Sequence, residues 1–267
     1  MQRLDVLDKG FVRLVDHMGN DARIVQSARV SYGDGTKSVR QDKGLIDYLM
    51  RHRHTSPFEQ VEFTFHIKLP LFVMGQLVRH RTSNLNQMSA RYSVMADEFY
   101  IPEKIRLQDN DNKQGSVESQ DDDQYLLEII EDNALKSYID YKLLLEKGVA
   151  REMARMVLPQ NLYTEVYWKQ DLHNLLHLLK LRMDSHAQWE IQQYANAMYE
   201  LVKPIVPYTI ESWERNVLNS VSLNSDEQDI LKRVLDGEDL EIVLTDVITA
   251  KGRQRESRNK INNILGS

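Results

Sequence analysis

The stretch that decides the fold is Val61-Glu62-Phe63-Thr64-Phe65-His66-Ile67-Lys68-Leu69, in which apolar and polar residues alternate almost without a break. A period of two places alternate side chains on opposite faces of a strand, so this stretch predicts a strand with one buried face and one polar face. His66 then falls on the polar, partly covered face. Pro70 suits the first turn of a helix, and residues 71–79 are predicted to form that helix.

The residues before this strand predict a hairpin and two helices. Apolar residues on both sides of the turn Asp8-Lys9-Gly10 indicate a β-hairpin over residues 2–18. Helices are predicted around residues 21–30 and in a segment that ends at residues 45–50. Strands are therefore concentrated early and helices follow, without regular strand–helix alternation, which predicts an α+β fold.

The rest of the chain predicts mainly helices. A polar segment at about residues 107–124, which includes Asp121–Asp123, has almost nothing to bury and is interpreted as a surface insertion or mobile loop. Ser185 and Gln188 have the spacing of a capping box. Packing residues of the helix that this box would start are Trp189, Tyr194 and Met198. The predicted helices span 125–147, 151–158, 172–181, a segment ending at Pro204 and a segment from Ser225 to Gly237, while the basic segment 251–260 is expected to fray.

The composition excludes several classes of chemistry. The chain contains no cysteine, which rules out disulfides, thiolate metal sites, iron–sulfur clusters and cysteine nucleophiles. The formal net charge of −6 argues against nucleic acid as the main partner, because duplex binders usually carry a basic footprint. No apolar run reaches the roughly 18 residues of a membrane span. A soluble, cytoplasmic protein is the expectation.

The densest polar cluster runs from Arg79-His80-Arg81 through Thr82-Ser83-Asn84-Leu85-Asn86-Gln87-Met88-Ser89-Ala90 to Arg91. These cations could simply complement the negative end of the preceding helix. Gln76, however, lies on the same helical face as Arg79, and the residues that follow are typical of a turn that presents backbone N–H groups. Arginine forks bind two phosphate oxygens at once, so the cluster indicates a small phosphorylated ligand.

Other motifs leave two further hypotheses open. The sequence has no glycine-rich dinucleotide fingerprint, phosphate-binding loop, serine elbow or H-E-x-x-H helix. His173 and His177 lie one helical turn apart and could ligate a metal, although a polar stripe against another subunit or a cofactor fits them better. The alternatives are therefore a nucleic-acid-binding module built on the arginine cluster and a histidine-based metal hydrolase.

The cluster resembles a known family signature. Arg79-His80-Arg81, seven intervening residues and Ser89 match the R-H-R-x7-S motif of the flavin-dependent thymidylate synthases. Further elements similar to the family occur in family order, and they are Leu7-Asp8-Lys9-Gly10-Phe11, His54-Thr55-Ser56-Pro57-Phe58-Glu59, Ala154-Arg155 with Leu158-Pro159, and Leu181-Arg182 through Gln188. The resemblance covers residues 1–215 and leaves 216–267 as a C-terminal extension of unknown role.

The resemblance implies a fold, an assembly and an activity. The expected fold is α+β, with a twisted, mainly antiparallel sheet packed with helices. The expected assembly is a homotetramer whose active sites are built from more than one subunit. The expected reaction is the methylation of dUMP to dTMP, with 5,10-methylenetetrahydrofolate as the carbon donor and NADPH as the reductant through FAD.

The resemblance also implies site residues, and no metal is expected. The residues expected to bind dUMP are Gln76, Arg79, Gln87, Met88, Ser89, Ala90, Arg91, Arg155 and Arg182. The residues expected to contact FAD are Ser56, Glu59, Arg79, His80, Arg81, Gln87, Asp171, His173 and His177. The residues expected to take part in catalysis are Arg182, His54 and Ser89.

The sequence departs from the family at four of these positions. The family often has Glu at the position of Gln87 and Gly at that of Ala90, and some members have Asn and Arg at the positions of Asp171 and His173. Since the chain has no cysteine, a thiol cannot attack the uracil ring, and a reduced flavin is expected to supply the hydride instead. Arg182 is expected to stabilise negative charge on the uracil, an effect often worth ~3 kcal/mol.

Overall fold

The computed structural model describes residues 2–30, 39–109, 115–121 and 123–266 of the 267-residue chain. Its strands are β1 Arg3–Val6, β2 Gly10–Met18, β3 Glu62–Pro70, β4 Asn84–Gln87, β5 Arg106–Gln108, β6 Ser116–Glu118 and β7 Tyr163–Asp171. The main sheet of this described part has the order β1-β2-β3-β7-β4, and all its neighbouring strands are antiparallel. Strands β5 and β6 form a separate hairpin. The α+β prediction with a mainly antiparallel sheet is confirmed.

The strand predicted from the opening alternation is β3, which lies at the centre of the main sheet. Phe63, Phe65 and Ile67 are fully buried on one face. His66 lies on the other face, where its ring stacks on Tyr167. Pro70 ends the strand and does not open the helix, which begins one residue later because Pro70 has an extended backbone conformation.

The longest strand that the sequence did not predict is β7, which pairs with β3 along its whole length. Its inward-facing side chains are Thr164, Val166, Trp168 and Gln170, all buried. Two of these four are polar, so the apolar alternation that marks β3 is absent. Strand β4 pairs with β7 where the sequence predicted only a turn.

The predicted N-terminal hairpin is confirmed in β1 and β2. Leu7 adopts a left-handed conformation in its turn, with φ of 59°. Gly10 is required where the turn ends, because a side chain there would collide with the carbonyl oxygens of Val6 and Lys68 and with the hydroxyl of Tyr194.

The helices follow most of the predicted segments. They are α1 Asp21–Ala28, α2 Val39–Arg51, α3 Leu71–Leu77, α4 Gln124–Glu146, α5 Arg151–Ala154, α6 Leu172–Arg182, α7 Trp189–Val202, α8 Pro207–Trp213, α9 Ser225–Leu235, α10 Leu240–Val247 and α11 Lys251–Leu265. Helices α8 and α10 were not predicted. The segment predicted to fray is part of the regular helix α11, which buries Ser257 and Ile261. Among the described residues, no helix combines the length and the apolar character needed to cross a membrane.

One local prediction is confirmed in part and two are wrong. The described residues of the polar segment 107–124 lie mostly at the surface, as predicted, but they include most of the β5–β6 hairpin, which was not predicted; residues 110–114 and 122 lie outside the described part. Ser185 does not cap α7, because the N-cap is Gln188 and no side chain bonds to the first backbone N–H groups. Trp189 is not a packing residue of the core, since it is 42% exposed and lies against the guanidinium of Arg106.

The chain divides into two compact units, Met1–Val217 and Leu218–Ser267. The first contains the main sheet and the arginine cluster. The second has its own apolar core, formed by Ile230, Val243, Leu244, Ile248 and Ile261. Its first helix, α9, begins with a capping box in which Asn224 and Glu227 exchange hydrogen bonds.

Candidate active site

The arginine cluster begins at the end of α3, where the chain turns and separates three consecutive side chains. His80 points inward and is buried, whereas Arg79 and Arg81 are exposed on either side of it. Backbone hydrogen bonds from Arg79 and His80 to the carbonyls of Gln76 and Leu77 hold this turn. Within the described residues, the side chains of Arg79 and Arg81 form no hydrogen bond or ion pair. Both guanidinium groups are therefore available for an anionic ligand.

The buried His80 meets the last turn of α6. The Nε of Arg182 donates to Nε2 of His80 at 3.0 Å, and a terminal nitrogen of Arg182 lies 3.5 Å from the carbonyl oxygen of Gln76. Because an arginine can only donate, Nε2 of His80 must accept, and the proton of this histidine resides on Nδ1. The ring of His177 stands edge-on to that of His80, with 6.1 Å between centroids.

The charge state of this pair follows from its surroundings. Burial, together with the nearby charges of Arg182 and His177, lowers the pKa of His80 to about 4. His80 is therefore neutral at neutral pH. Burial also lowers the pKa of Arg182, but a guanidinium remains charged. Among the described residues, Arg182 has no carboxylate partner, so its positive charge is held in place without being neutralised.

The second half of the signature is attached to β7. The side-chain amide of Gln87 donates to the hydroxyl of Thr164 at 3.2 Å, and the backbone N–H of Met88 donates to the carbonyl of Glu165 at 2.8 Å. The N–H of Met88 is thus already used. Those of Ser89 and Ala90, two adjacent groups in the predicted turn, have no partner in the described part of the chain.

The remaining dUMP candidates lie beside this turn or on α5 and the short 3-10 helix after it. The hydroxyl of Ser89 accepts from the backbone N–H of Arg91 at 3.3 Å. The side chain of Arg91 forms an exposed ion pair with Glu152 at 3.2 Å. Arg155 opens the 3-10 helix Arg155–Val157 and is exposed, and its side chain has no polar partner among the described residues.

The FAD candidates outside the arginine cluster lie in two further places, the first of which also holds the catalytic candidate His54. His54, Ser56 and Glu59 are exposed in the segment that ends in the 3-10 helix Phe58–Gln60. Asp171 caps α6, because its carboxylate accepts from the backbone and side chain of Asn174 at 3.0 and 2.8 Å. This cap is a structural use of the Asp171 carboxylate that the sequence did not predict.

A single chain does not join all these groups. The polar contacts connect Gln76, His80 and Arg182, and separately Gln87, Ser89 and Arg91 to their neighbours. Within the described residues, Ser56 and Glu59 make no side-chain hydrogen bond to either group. A cavity of about 800 Å³ lies elsewhere, between β1, Tyr100, Arg106 and α7, and none of the predicted site residues lines it.

Comparison with known proteins assigns the chain to a family. Residues 13–208 match the family model described as thymidylate synthase complementing protein. The flavin-dependent thymidylate synthase of Thermus thermophilus is 54% identical over 258 residues, which cover 97% of this chain and 95% of that protein. This chain belongs to the flavin-dependent thymidylate synthases.

Two more relatives of this family agree with the assignment. The flavin-dependent thymidylate synthase of Treponema denticola is 53% identical over 239 residues, covering 88% of this chain and 90% of that protein. The crystal structure of the UMP/dUMP methylase PolB from Streptomyces cacaoi, bound with 5-Br dUMP, superposes with a TM-score of 0.74 at 33% identity, covering 79% of this chain and 97% of that one. With 97% of this chain covered, the Thermus alignment extends beyond residue 215, where the resemblance seen in the sequence stopped.

The structure adds contacts that the sequence did not associate with a flavin-dependent thymidylate synthase site. Thr164 and Glu165, on β7, accept hydrogen bonds from Gln87 and Met88. The sequence did not predict β7, because apolar and polar residues alternate only weakly along it. Gln188, interpreted as part of a capping box, instead accepts a hydrogen bond from the side chain of Gln76. Within the described residues, no three side chains of the metal-binding types converge, and His177 faces His80.

Proposed function

We propose that this chain catalyses the reductive methylation of dUMP to dTMP, with 5,10-methylenetetrahydrofolate as carbon donor and NADPH as reductant through FAD. Membership of the flavin-dependent thymidylate synthases supports the reaction class. The observation that carries the proposal is the charged Arg182, held by the neutral His80 beside Gln76. A fixed cation without a counter-charge suits a reaction that places negative charge on a pyrimidine ring.

The residues around His80 fit a flavin nucleotide. Arg79 and Arg81 are exposed and unpaired in the described structure, as a pyrophosphate site requires. We assign FAD binding to these two and to Ser56, Glu59, His80, Gln87, Asp171, His173 and His177. When bound, FAD supplies the redox chemistry of hydride transfer, which no side chain of this chain can supply.

The turn at Ser89 fits the phosphate of dUMP. The free backbone N–H groups of Ser89 and Ala90 point to an anion, and Arg91 and Arg155 add charge. We assign nucleotide binding to these residues and to Gln76, Arg79, Gln87, Met88 and Arg182. Ser89 positions the nucleotide rather than attacking it, because no histidine or carboxylate is bonded to its hydroxyl in the described part.

The chemistry at the pyrimidine falls mainly to Arg182. Its guanidinium stabilises the charge that develops on the ring as C5 becomes nucleophilic, and it lowers the cost of ionisation at N3. His80 keeps the guanidinium in place as a neutral acceptor. His54 lies on the exposed segment near the flavin residues, where we assign it a role in orienting the reacting groups.

We propose a homotetramer in which neighbouring subunits complete each site. The hydrogen bonds of the single chain connect the candidate groups only in separate sets. Large apolar side chains next to them in the sequence are exposed, notably Tyr92 at 78% and Met156 at 77%. A further exposed apolar stripe follows one face of α4 through Leu135, Ile139 and Leu143. Light scattering of the purified protein measures the subunit number directly.

The decisive experiment measures flavin absorption and NADPH oxidation, with and without dUMP, in the wild type and in Arg182→Ala. The wild type is expected to bind FAD and to oxidise NADPH faster with dUMP, whereas Arg182→Ala keeps FAD but loses roughly a hundredfold of the dUMP-dependent turnover. Lys180→Ala, an exposed change on the same helix, is the matched control and is expected to behave like the wild type. Near-normal turnover of Arg182→Ala contradicts the role of this arginine.

The same measurement separates the two alternative functions. A nucleic-acid-binding module or a histidine-based metal hydrolase predicts a colourless protein that does not respond to added FAD. A protein that shows the flavin band but no dUMP-stimulated oxidation has a defect at the nucleotide residues, whereas a protein without the flavin band has a defect at the flavin residues.

A further inference from the structure

A chain of hydrogen bonds leads from the protein interior to Gln76. Glu190, on the first turn of α7, is only 2% exposed. Its carboxylate accepts from the side-chain amide of Gln188 at 2.9 Å, and Gln188 in turn accepts from the side-chain amide of Gln76. The chain therefore joins a buried charge to a residue proposed to contact the nucleotide.

The carboxylate of Glu190 sets the direction of every bond in this chain. Tyr100 donates to it at 3.2 Å, and Arg106 forms an ion pair with it, so it is surrounded by donors and can only accept. Gln188 must consequently turn its NH2 group toward Glu190 and its oxygen toward Gln76. Gln76 must turn its NH2 group toward Gln188, which leaves its own oxygen facing away.

We propose that Glu190 is a positioning residue that makes Gln76 present an oxygen, and not an NH2 group, to dUMP. This inference rests on the proposed function. The side-chain oxygen of Gln76 has no partner among the described residues, and the same residue's carbonyl receives Arg182. At neutral pH dUMP carries only two hydrogen-bond donors, the 3′-hydroxyl of the sugar and N3–H of the ring. Gln76 therefore accepts from one of these two groups.

The relay also connects the site to the β5–β6 hairpin. Arg106 belongs to β5, is paired with Glu190, and lies 5.1 Å from the ring of Trp189. The hairpin thus supplies the cation that pairs with this buried carboxylate. This gives a segment that has no predicted site residue a defined part in nucleotide binding.

The test exploits the polarity of the chain. Glu190→Gln replaces an obligatory acceptor with an amide, which can donate to the oxygen of Gln188. Both glutamines then reverse, and Gln76 presents an NH2 group to the nucleotide. The nucleotide then loses one hydrogen bond, and the NH2 group of Gln76 faces a donor of dUMP. These two effects are expected to raise the KM for dUMP roughly ten- to hundredfold, with kcat much less affected.

Rescue by a second substitution distinguishes positioning from a general structural effect. Gln76→Glu alone places a carboxylate against the oxygen of Gln188 and is expected to weaken dUMP binding. In the double variant Glu190→Gln/Gln76→Glu, the reversed Gln188 donates to the new carboxylate, whose other oxygen faces the nucleotide. The double variant is therefore expected to have a lower KM than either single variant.

One further variant is a control, and another tests the relay at a second position. Tyr100→Phe removes a different donor to Glu190 while the carboxylate of Glu190 stays in place, and it is expected to leave the KM for dUMP within about twofold. Gln188→Met breaks the relay at an exposed position and is expected to raise the KM for dUMP even if Glu190→Gln folds poorly. Flavin occupancy and the melting temperature are recorded for each variant.

The outcomes separate the two proposals. A wild-type protein with normal dUMP-dependent turnover, together with an unchanged KM for dUMP in Glu190→Gln and Gln188→Met, overturns the relay alone. Additive losses in the double variant also overturn it. A wild-type protein that binds neither FAD nor dUMP overturns the proposed function and the relay with it.

Discussion

The neutral state of His80 predicts a loss of stability on acidification that depends on this one residue. Burial holds the pKa of His80 at about 4, below the ordinary histidine value of 6.5. In the unfolded chain the same histidine takes up its proton near the ordinary value. Between the two pKa values the unfolded state binds more protons, so the free energy of unfolding falls as the pH falls. The stabilisation is complete above about pH 6.5 and is lost progressively toward about pH 4.

The magnitude follows from the width of this window. One pKa unit corresponds to about 1.4 kcal/mol, so the full displacement of His80 amounts to about 3 kcal/mol and the part lost by about pH 5 to about 2 kcal/mol. The matched variant is His80→Gln, which can still accept from Arg182 but does not titrate. Because all other titrating groups are common to both proteins, their contributions cancel in the comparison.

Urea denaturation at about pH 7 and about pH 5 measures this difference at a fixed protein concentration. Tryptophan fluorescence reports on the unit that contains His80, since Trp168, Trp189 and Trp213 all belong to Met1–Val217. The wild type is expected to lose about 2 kcal/mol more than His80→Gln between the two pH values. Equal losses in the two proteins would refute the assignment of His80 as a neutral, buried acceptor.

Three further predictions concern the stability of each unit and the affinity for dUMP, and the first is measured by the same urea denaturation. Gly10→Ala is expected to destabilise the first unit by at least about 2 kcal/mol, because the added methyl group overpacks against Lys68 and Tyr194. Gly252→Ala, which has open space around it, should be neutral or up to about 1 kcal/mol stabilising. A mild effect at Gly10 would contradict the close packing of the hairpin. Asn224→Ala is expected to cost the second unit about 1 kcal/mol through loss of its capping box, visible by circular dichroism without a change in the tryptophan transition. Glu152→Gln releases Arg91 from an exposed ion pair and is expected to lower the KM for dUMP by up to about fivefold. Glu146→Gln, on the neighbouring helix α4, is the control. A raised KM in Glu152→Gln would argue against phosphate binding by Arg91.

The sequence could predict those strands and helices that bury an apolar face and expose a polar one. Strand β3 faces a core on one side and polar groups on the other, so its alternation is visible in the residue types. Strand β7 contributes as much to the sheet but buries Thr164 and Gln170, whose polar groups bond to Gln87 and to the carbonyl of Thr82. A polar residue that is satisfied by a distant partner looks the same in the sequence as an exposed one. Strand β7 could therefore be recognised only once the residues that pack and bond against it were known.

The candidate site shows the same division. The signature from Arg79 to Ser89 could be found because its residue types and spacing are fixed locally. The relay from Glu190 through Gln188 to Gln76 joins residues more than a hundred positions apart, and its end on α7 resembled a helix cap. The sequence could therefore identify groups that we propose to contact a ligand, but not those that we propose to orient them.

The neutrality of His80 also explains how a charged arginine can be held rigidly and remain available for the role on a substrate that we propose for it. A carboxylate partner would fix Arg182 equally well, but it would cancel most of the field at the pyrimidine. At an effective dielectric constant of about 20, two unit charges about 4 Å apart interact by about 4 kcal/mol, so a paired arginine would lose an interaction of the size that it must supply. A neutral imidazole provides the hydrogen bond at 3.0 Å without this cost. The lowered pKa of His80 is thus a condition for the electrostatic role proposed for Arg182, because protonation would remove the only acceptor position of His80 and add a second cation at the same place.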